Sequence, residues 1–587
     1  MQHEKLGSRQ SPKIRYHDDT AGTSGFLDCD WMRWFSNTDF RSFYFLNATQ
    51  FLGALNDNIF KLLVIYLLIN VQGPAAAPTI LSLAGAIFVI PFLLFSSGAG
   101  VLADRHSKRT IIVFTKILEV AIMSFGLFAV IFESQWASYT ALFFMATQSS
   151  IFGPSKYGII PELVQSKKVS KANGSLTSFT YLAIILGTFL ASFLTDISGK
   201  NFIFVSCFCV LIAVSGLLTS LGIVRTEPQR SEKKINPFFL YEIYQTLKLS
   251  WKIPHLLPSI FGSAFFLFLG AFAQLNIIPF AMQSLHMSEV GGGYLFLSTA
   301  VGIAVGAVIA GQLSKDKVEP GISCICLFFV SIFFFTLFIF SSHFWPVVIC
   351  LFFLGVFGGA FLIPFDSFIQ INSPDEKRGQ VIAASNFFSF VGVLFAALFL
   401  YFTSEKLGLS AASGFAVMGF LSLIATVILW GRLADLFFPF FCRKILKRFR
   451  TYQCADTLPK SESAILFSSN SWWDVIMLFS LIPHLRILVP GNYFHAFPWF
   501  NGWIESIRIV PLHSDPSRQL RSKVPLTHCY FVHQKRGEDL FKETESYLRQ
   551  HYPEIWILHR EKESIPKRLL FFHIKQKRIT LSFTKSG

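Results

Sequence analysis

Residues 51–69, FLGALNDNIFKLLVIYLLI, are apolar at both ends and carry Asn56, Asp57, Asn58 and Lys61 in the middle. As an α-helix the stretch rises about 28 Å, close to the ~30 Å of a bilayer's hydrocarbon core. It therefore has the length of a membrane span. An acid or a lysine inside such a span costs about 2.5–3.5 kcal/mol on insertion scales, so these groups face protein or a wet cavity rather than lipid. The four-residue spacing of Asp57 and Lys61 puts them on one helix face, where they either neutralise each other or present opposite charges to a ligand.

The run is one of many. Of 587 residues 52% are hydrophobic, only 15% are charged and 69 are phenylalanine, which excludes an ordinary soluble domain. Apolar runs between charged or Gly/Pro punctuation predict spans near 42–70, 79–102, 110–132, 137–160, 174–196 and 201–224. After a polar stretch, six more fall near 255–284, 291–313, 322–341, 344–368, 380–402 and 409–431. The chain reads as an all-α polytopic membrane protein of 12 transmembrane helices in two six-helix halves. Loops after even-numbered spans carry Arg105, Lys108 and Arg109, then Lys167, Lys168 and Lys171, and later Lys377 and Arg378; loops after odd-numbered spans hold little beyond Lys200 and Lys406. The positive-inside rule then sets both termini in the cytoplasm. No charged leader with a small-residue cleavage site precedes the first span, so the polar N-terminal residues are expected to be retained. The formal charge of +16 is explained by topology signals and lipid phosphates at the membrane surface, not by nucleic acid. Nine cysteines show neither a disulfide framework nor CxxC metal spacing. Cys207, Cys209, Cys324 and Cys326 are expected to be buried thiols, and no metal or other cofactor is expected.

The expected organisation is a cytoplasmic tail (1–40), a first half (41–225), a cytoplasmic linker (226–254), a second half (255–432), a basic linker (433–460) and a C-terminal segment (461–587). In the last segment Trp472, Trp473 and short apolar runs among His, Arg and Glu replace long helices, as in a small α/β domain. An internal repeat supports the two halves. IFGPSKYGIIPELVQ, ending the fourth span, aligns with FLIPFDSFIQINSP, ending the tenth, so that Pro154 falls on Pro364 and Lys156 on Asp366. GVLADRHSKR after the second span pairs more weakly with GQLSKDK after the eighth. Two related halves with a site at the midplane between them are the plan of many secondary transporters. On that plan Asp57, Asn58, Lys61 and Lys156 are candidate ligand contacts, joined by Asp366 and by Gln274 and Asn276 at matching depth in the second half. Lys116 and Glu119 form another pair able to neutralise each other. The glycine runs GGGY (291–294) and GVFGGAF (355–361) precede no Lys-Ser/Thr, so nucleotide hydrolysis has no support; they let helices approach closely. The phenylalanine runs at 265–272 and 333–340 read as bundle filling.

GVLADRHSKR, residues 100–109, resembles the signature loop of the major facilitator superfamily. The resemblance implies a charge network at the cytoplasmic side, with Asp104, Arg105 and Arg109 gating the two halves. The NDN of the first span, GPSKYGIIPEL (153–163) and KANG (171–174) further resemble the lysophospholipid transporter family within that superfamily, over about 42–430. That family implies a bacterial inner-membrane transporter of lysophospholipids, lysophosphatidylethanolamine first, supplying their reacylation. Asp57 would meet the headgroup ammonium and Lys156 its phosphate, with Lys61, Asn58 and Asp366 behind them. Members are often encoded beside or fused to an acyltransferase, so an acyltransferase or acyl-ACP synthetase is the implied partner. Residues 465–512 are similar to the start of a glycerolipid acyltransferase domain. Asp474 fits its motif, but Ser469 stands where the catalytic His belongs, and a serine cannot take up a proton near neutral pH. The segment therefore reads as degenerate and the chain as no enzyme. Two alternatives stay open: a proton-coupled facilitator for a small polar solute, with Asp57 or Glu119 as carrier, and a membrane-bound 2-acylglycerophosphoethanolamine acyltransferase.

Overall fold

The computed structural model describes residues 38–441 apart from 74–76, 229–237, 288 and 315–317, and beyond them the backbone of seven strands. The first group of helices is α1 (Thr38–Gln72), α2 (Ala77–Arg105), α3 (Lys108–Ile131), α4 (Gln135–Gly158), the single turn α5 (Ile160–Leu163), α6 (Val169–Ile197) and α7 (Phe202–Leu221). The linker helix α8 (Phe239–Trp251) leads to α9 (Leu256–Ser284), α10 (Glu289–Leu313), α11 (Gly321–Ile339), α12 (Phe344–Asn372), α13 (Arg378–Tyr401), α14 (Ala411–Arg432) and the short α15 (Ala434–Phe441). Every predicted span falls on one long helix. Among the described residues, 11 helices are long and apolar enough to cross a membrane. The exception is α4, diluted by Gln148, Ser149, Ser150, Ser155 and Lys156. It packs among α1, α2, α3 and α13, so its polar residues meet protein rather than lipid.

Each half has its own core. Phe60, Leu63, Met123, Leu142 and Val205 fill the first; Phe272, Phe280, Phe334, Phe361 and Phe415 fill the second. Because lipid tails are as apolar as these side chains, close packing rather than water exclusion holds such helices together. The GVFGGAF run does this for α12. A Cβ at Gly359 would fall 2.3 Å from the Ile303 carbonyl oxygen, and one at Gly306 of α10 would fall 1.9 Å from that of Val356, so α10 and α12 touch backbone to backbone. Cys209, Cys324, Cys326 and Cys350 are buried, but Cys207 is exposed. Residues two apart point about 200° away from each other on a helix, and α7 buries only one side, whereas α11 packs against both α12 and α14.

Past residue 450, β1 (Thr451–Cys454), β2 (Ala464–Ser468), β3 (Leu485–Pro490), β4 (Ile509–Leu512), β5 (Thr527–Val532), β6 (Ile555–Leu569) and β7 (Phe572–Lys585) form one sheet in the order β1-β7-β6-β2-β5-β3-β4. All pairings are parallel except the β6–β7 hairpin. Parallel neighbours need crossover connections, and these lie outside the described residues. So do Ser469 and Asp474 of the acyltransferase-like motif, and the tail before Thr38.

Candidate functional site

A cavity of about 350 Å³ lies between the halves, lined by residues of α1, α4, α6, α9, α12 and α13 among others. Asp57 enters it from the middle of α1, and its Oδ2 accepts a hydrogen bond from Ser149 Oγ of α4 at 2.7 Å. Ser149 has a single hydroxyl proton and a second acceptor, Gln148 Oε1, at 3.2 Å. The shorter contact, to a carboxylate, is the stronger one. Asp57 Oδ1 is buried with no hydrogen-bond partner among the described residues. Lys156 of α4 lines the same cavity, its Nζ 5.5 Å from the centre of the Phe152 ring and 4.9 Å from that of Tyr157. Such cation–π contacts give about 0.5–2 kcal/mol and leave the ammonium protons without an acceptor among the described residues. From the other half comes Asp366 of α12, whose Oδ1 accepts from Ser263 Oγ of α9 at 2.9 Å. The repeat partners Lys156 and Asp366 thus reach one cavity from two halves with opposite charge.

A second charged pair lines the same cavity from α3. Lys116 Nζ lies 2.5 Å from Glu119 Oε2, both nearly fully buried, and Asn56 Nδ2 donates to Glu119 Oε1 at 3.1 Å. The expected pairing within α3 forms, and Asn56 fastens it to α1. The Asp57–Lys61 pairing does not form. Ser149 holds Asp57, while Lys61 Nζ stands 5.3 Å over the Phe88 ring and does not line the cavity. Asn58 does line it, with its Nδ2 donating to Ala54 O at 2.8 Å. Gln274 and Asn276 are not cavity residues. Gln274 is exposed two turns along α9 from the cavity-lining Leu267, and buried Asn276 donates from Nδ2 to Ala411 O at 2.8 Å, tying α9 to the start of α14. Matching depth in the two halves did not fix which face these residues occupy.

The halves also meet at the end of the bundle that carries the basic loops. Asp104, at the end of α2, is completely buried there. Its Oδ1 accepts from Gly379 N at 2.6 Å, and its Oδ2 accepts from Gln380 N at 3.0 Å and Gln380 Nε2 at 3.1 Å. Gly379 and Gln380 belong to the first turn of α13, whose N–H groups have no partner within the helix and carry the positive end of its dipole. A carboxylate from the other half satisfies both. The backbones come close enough for this because a Cβ on Gly379 would fall 2.6 Å from Gly100 O. Beside this contact, Asn173 Nδ2 donates to Gln370 Oε1 at 3.1 Å and Gln370 Nε2 returns a bond to Asn173 Oδ1 at 3.0 Å, joining α6 to α12. Arg105 is exposed. Arg109 donates to the Ile223 and Leu221 carbonyl oxygens at 3.3 and 3.4 Å, capping the end of α7 inside its own half.

The family model of the Major Facilitator Superfamily matches residues 46–397. The chain belongs to that superfamily. Named relatives, each 25% identical, include the lysophospholipid transporter LplT of Klebsiella pneumoniae, over 396 residues, and that of an Enterobacter species, over 393 residues; each alignment covers 66% of this chain and 94% of the relative. Two crystal structures share the fold at 14% identity. The human organic anion transporter MFSD10 (TETRAN) has a TM-score of 0.55 over 66% of this chain and 99% of its own, and the E. coli fucose:proton symporter FucP has 0.56 over 68% and 99%. As a facilitator the chain is a transporter rather than an enzyme.

Of the three charged residues expected to gate the halves, Asp104 alone bonds across them among the described residues; Arg105 and Arg109 do not. Sequence reading passed over Ser149, Ser263 and Gln148, because uncharged polar residues are ordinary in membrane helices. It also assigned Lys108 to the topology signal, whereas Lys108 is buried with its Nζ 2.5 Å from Glu162 Oε1. KANG was noted as a motif without a role. Its Asn173 is half of the amide pair across the halves, and a Cβ on its Gly174 would fall 2.4 Å from Ala307 O of α10.

Proposed function

We propose that this facilitator moves lysophospholipids, lysophosphatidylethanolamine among them, across the bacterial inner membrane, with 12 spans and both termini in the cytoplasm. The observation that carries the reading is one cavity that holds Asp57, whose buried Oδ1 lacks a hydrogen-bond partner among the described residues, together with the half-buried ammonium of Lys156, which has ring faces beside it and no acceptor among the described residues. Unpaired buried charge is costly, and a zwitterionic headgroup relieves both ends at once, its ammonium on Asp57 and its phosphate on Lys156. Asp366, with Asn58, gives the glycerol and ammonium further partners. The LplT relatives point to the same substrate class. Substrate release to the basic end requires the Asp104 and Asn173 contacts to part, as alternation between two facings demands. Residues 461–587 serve, on this reading, as a degenerate acyltransferase-like module that docks a reacylating enzyme.

The test is reconstitution in vesicles, following labelled lysophosphatidylethanolamine beside a panel of water-soluble solutes. Lysolipid movement is expected, cut at least tenfold by Asp57→Asn and by Lys156→Met with the protein still folded. Uptake of a polar solute with no lysolipid movement would replace this reading with the proton-coupled solute carrier.

A further inference from the structure

A second crevice, of about 590 Å³, lies at the basic end of the second half, walled by α9, α11, α12 and α14 and by the segment that follows α8. Phe261, Phe265 and Ile428 make it apolar over a packed floor of Leu327 and Phe361, while Trp251 and Arg432 stand among its lining residues. Trp251 is 75% exposed. Arg432, the last residue of α14, is exposed and makes no hydrogen bond or ion pair among the described residues. An apolar slot of this size gains nothing from water, and a tryptophan beside an arginine at a span's end is the composition of a membrane–water interface. The chemistry that satisfies the slot and the guanidinium together is an acyl chain joined to a phosphodiester.

Two observations separate this crevice from the transport path. α9, α11, α12 and α14 belong to one half, so the wall that these four helices make moves as one body when the halves rock. It is also walled off from the central cavity: Gly262 and Phe265 of α9 line the crevice while Ser263 and Phe266 line the cavity, and on α12 Phe361 lines one and Leu362 the other. We infer that the crevice binds a resident diacyl phospholipid of the surrounding leaflet, its phosphate on Arg432 and one chain among Phe261, Phe265 and Ile428. The lipid fills a gap in the packing of the second half in both facings and is not the transported molecule.

The test uses the purified, delipidated full chain, titrated with dioleoyl phosphatidylglycerol and separately with lysophosphatidylethanolamine. Native mass spectrometry counts bound lipid, and thermal unfolding reads its effect. One phosphatidylglycerol is expected to bind and raise the unfolding midpoint by several degrees, in Asp57→Asn as in the natural sequence. Arg432→Gln, at an exposed position that tolerates change, should weaken that binding at least tenfold, and Ala425→Trp, which fills the slot, should abolish it, both leaving lysolipid binding intact. Phosphatidylglycerol binding that survives both substitutions, or that is lost in Asp57→Asn, would overturn the inference. So would loss of lysolipid binding in Ala425→Trp, since the slot would then hold the cargo's chain.

Discussion

Lys116 and Glu119 show what a charge inside a membrane helix requires. Their 2.5 Å contact is nearly sealed, and removing one partner of such a pair costs about 3–5 kcal/mol because the other is stranded. Lys116→Met is therefore expected to lower stability by about 3 kcal/mol, read as thermal unfolding in detergent, and Lys116→Met with Glu119→Gln to recover most of the loss. Equal stability of all three proteins would show that the pair is solvated instead. This pair was legible from its three-residue spacing. Asp57 was legible too, since an acid in a 19-residue apolar run needs a reason, and the internal repeat brought out Lys156 and Asp366. Lys61 was not, because the insertion cost says that a charge must find shelter but not which kind; a ring face served where a carboxylate was expected. Ser149 and Ser263 carry no sequence signal, their importance resting on which aspartate stands opposite.

Among the elements, apolar length located a long helix at each predicted stretch, 11 of them apolar enough to cross a membrane among the described residues, because a helix is the way to bury backbone polar groups inside one segment in lipid. Their ends were less legible. α2 continues to Arg105 and α12 to Asn372, since a helix that leaves the hydrocarbon keeps its hydrogen bonds in the headgroup region, where hydropathy no longer marks it. The least apolar of the predicted spans, α4, is the one that contributes Ser149, Lys156 and Tyr157 to the cavity, so weakness of the span signal coincides with the candidate site. The strand order β1-β7-β6-β2-β5-β3-β4 could not be read from sequence, because its parallel neighbours are set by long-range pairing rather than by local turns.

On the scale of the whole molecule, two helical halves meet around a charged cavity and are fastened at the basic end. Asp104 makes three hydrogen bonds to the opposite half, and a bond to a charged group contributes about 1.5–3 kcal/mol. Asp104→Asn, which removes the charge and one acceptor oxygen, is expected to shift the balance toward the state open at that end by tenfold or more. Spin labels at exposed His106 and Glu376, on the two sides of the contact, would report it as growth of a longer distance; an unchanged distribution would mean that the amide pair of Asn173 and Gln370 holds the end closed by itself. On the proposed function the headgroup is bound by charge, ammonium on Asp57 and phosphate on Lys156. This is tested most directly by equilibrium binding of lysophosphatidylethanolamine and of lysophosphatidic acid, which has the phosphate but no ammonium, to Asp57→Asn and Lys156→Met. Lys156→Met is expected to weaken both lipids about tenfold or more, and Asp57→Asn to weaken only lysophosphatidylethanolamine. Equal losses for the two lipids in Asp57→Asn, or none for either in Lys156→Met, would contradict it.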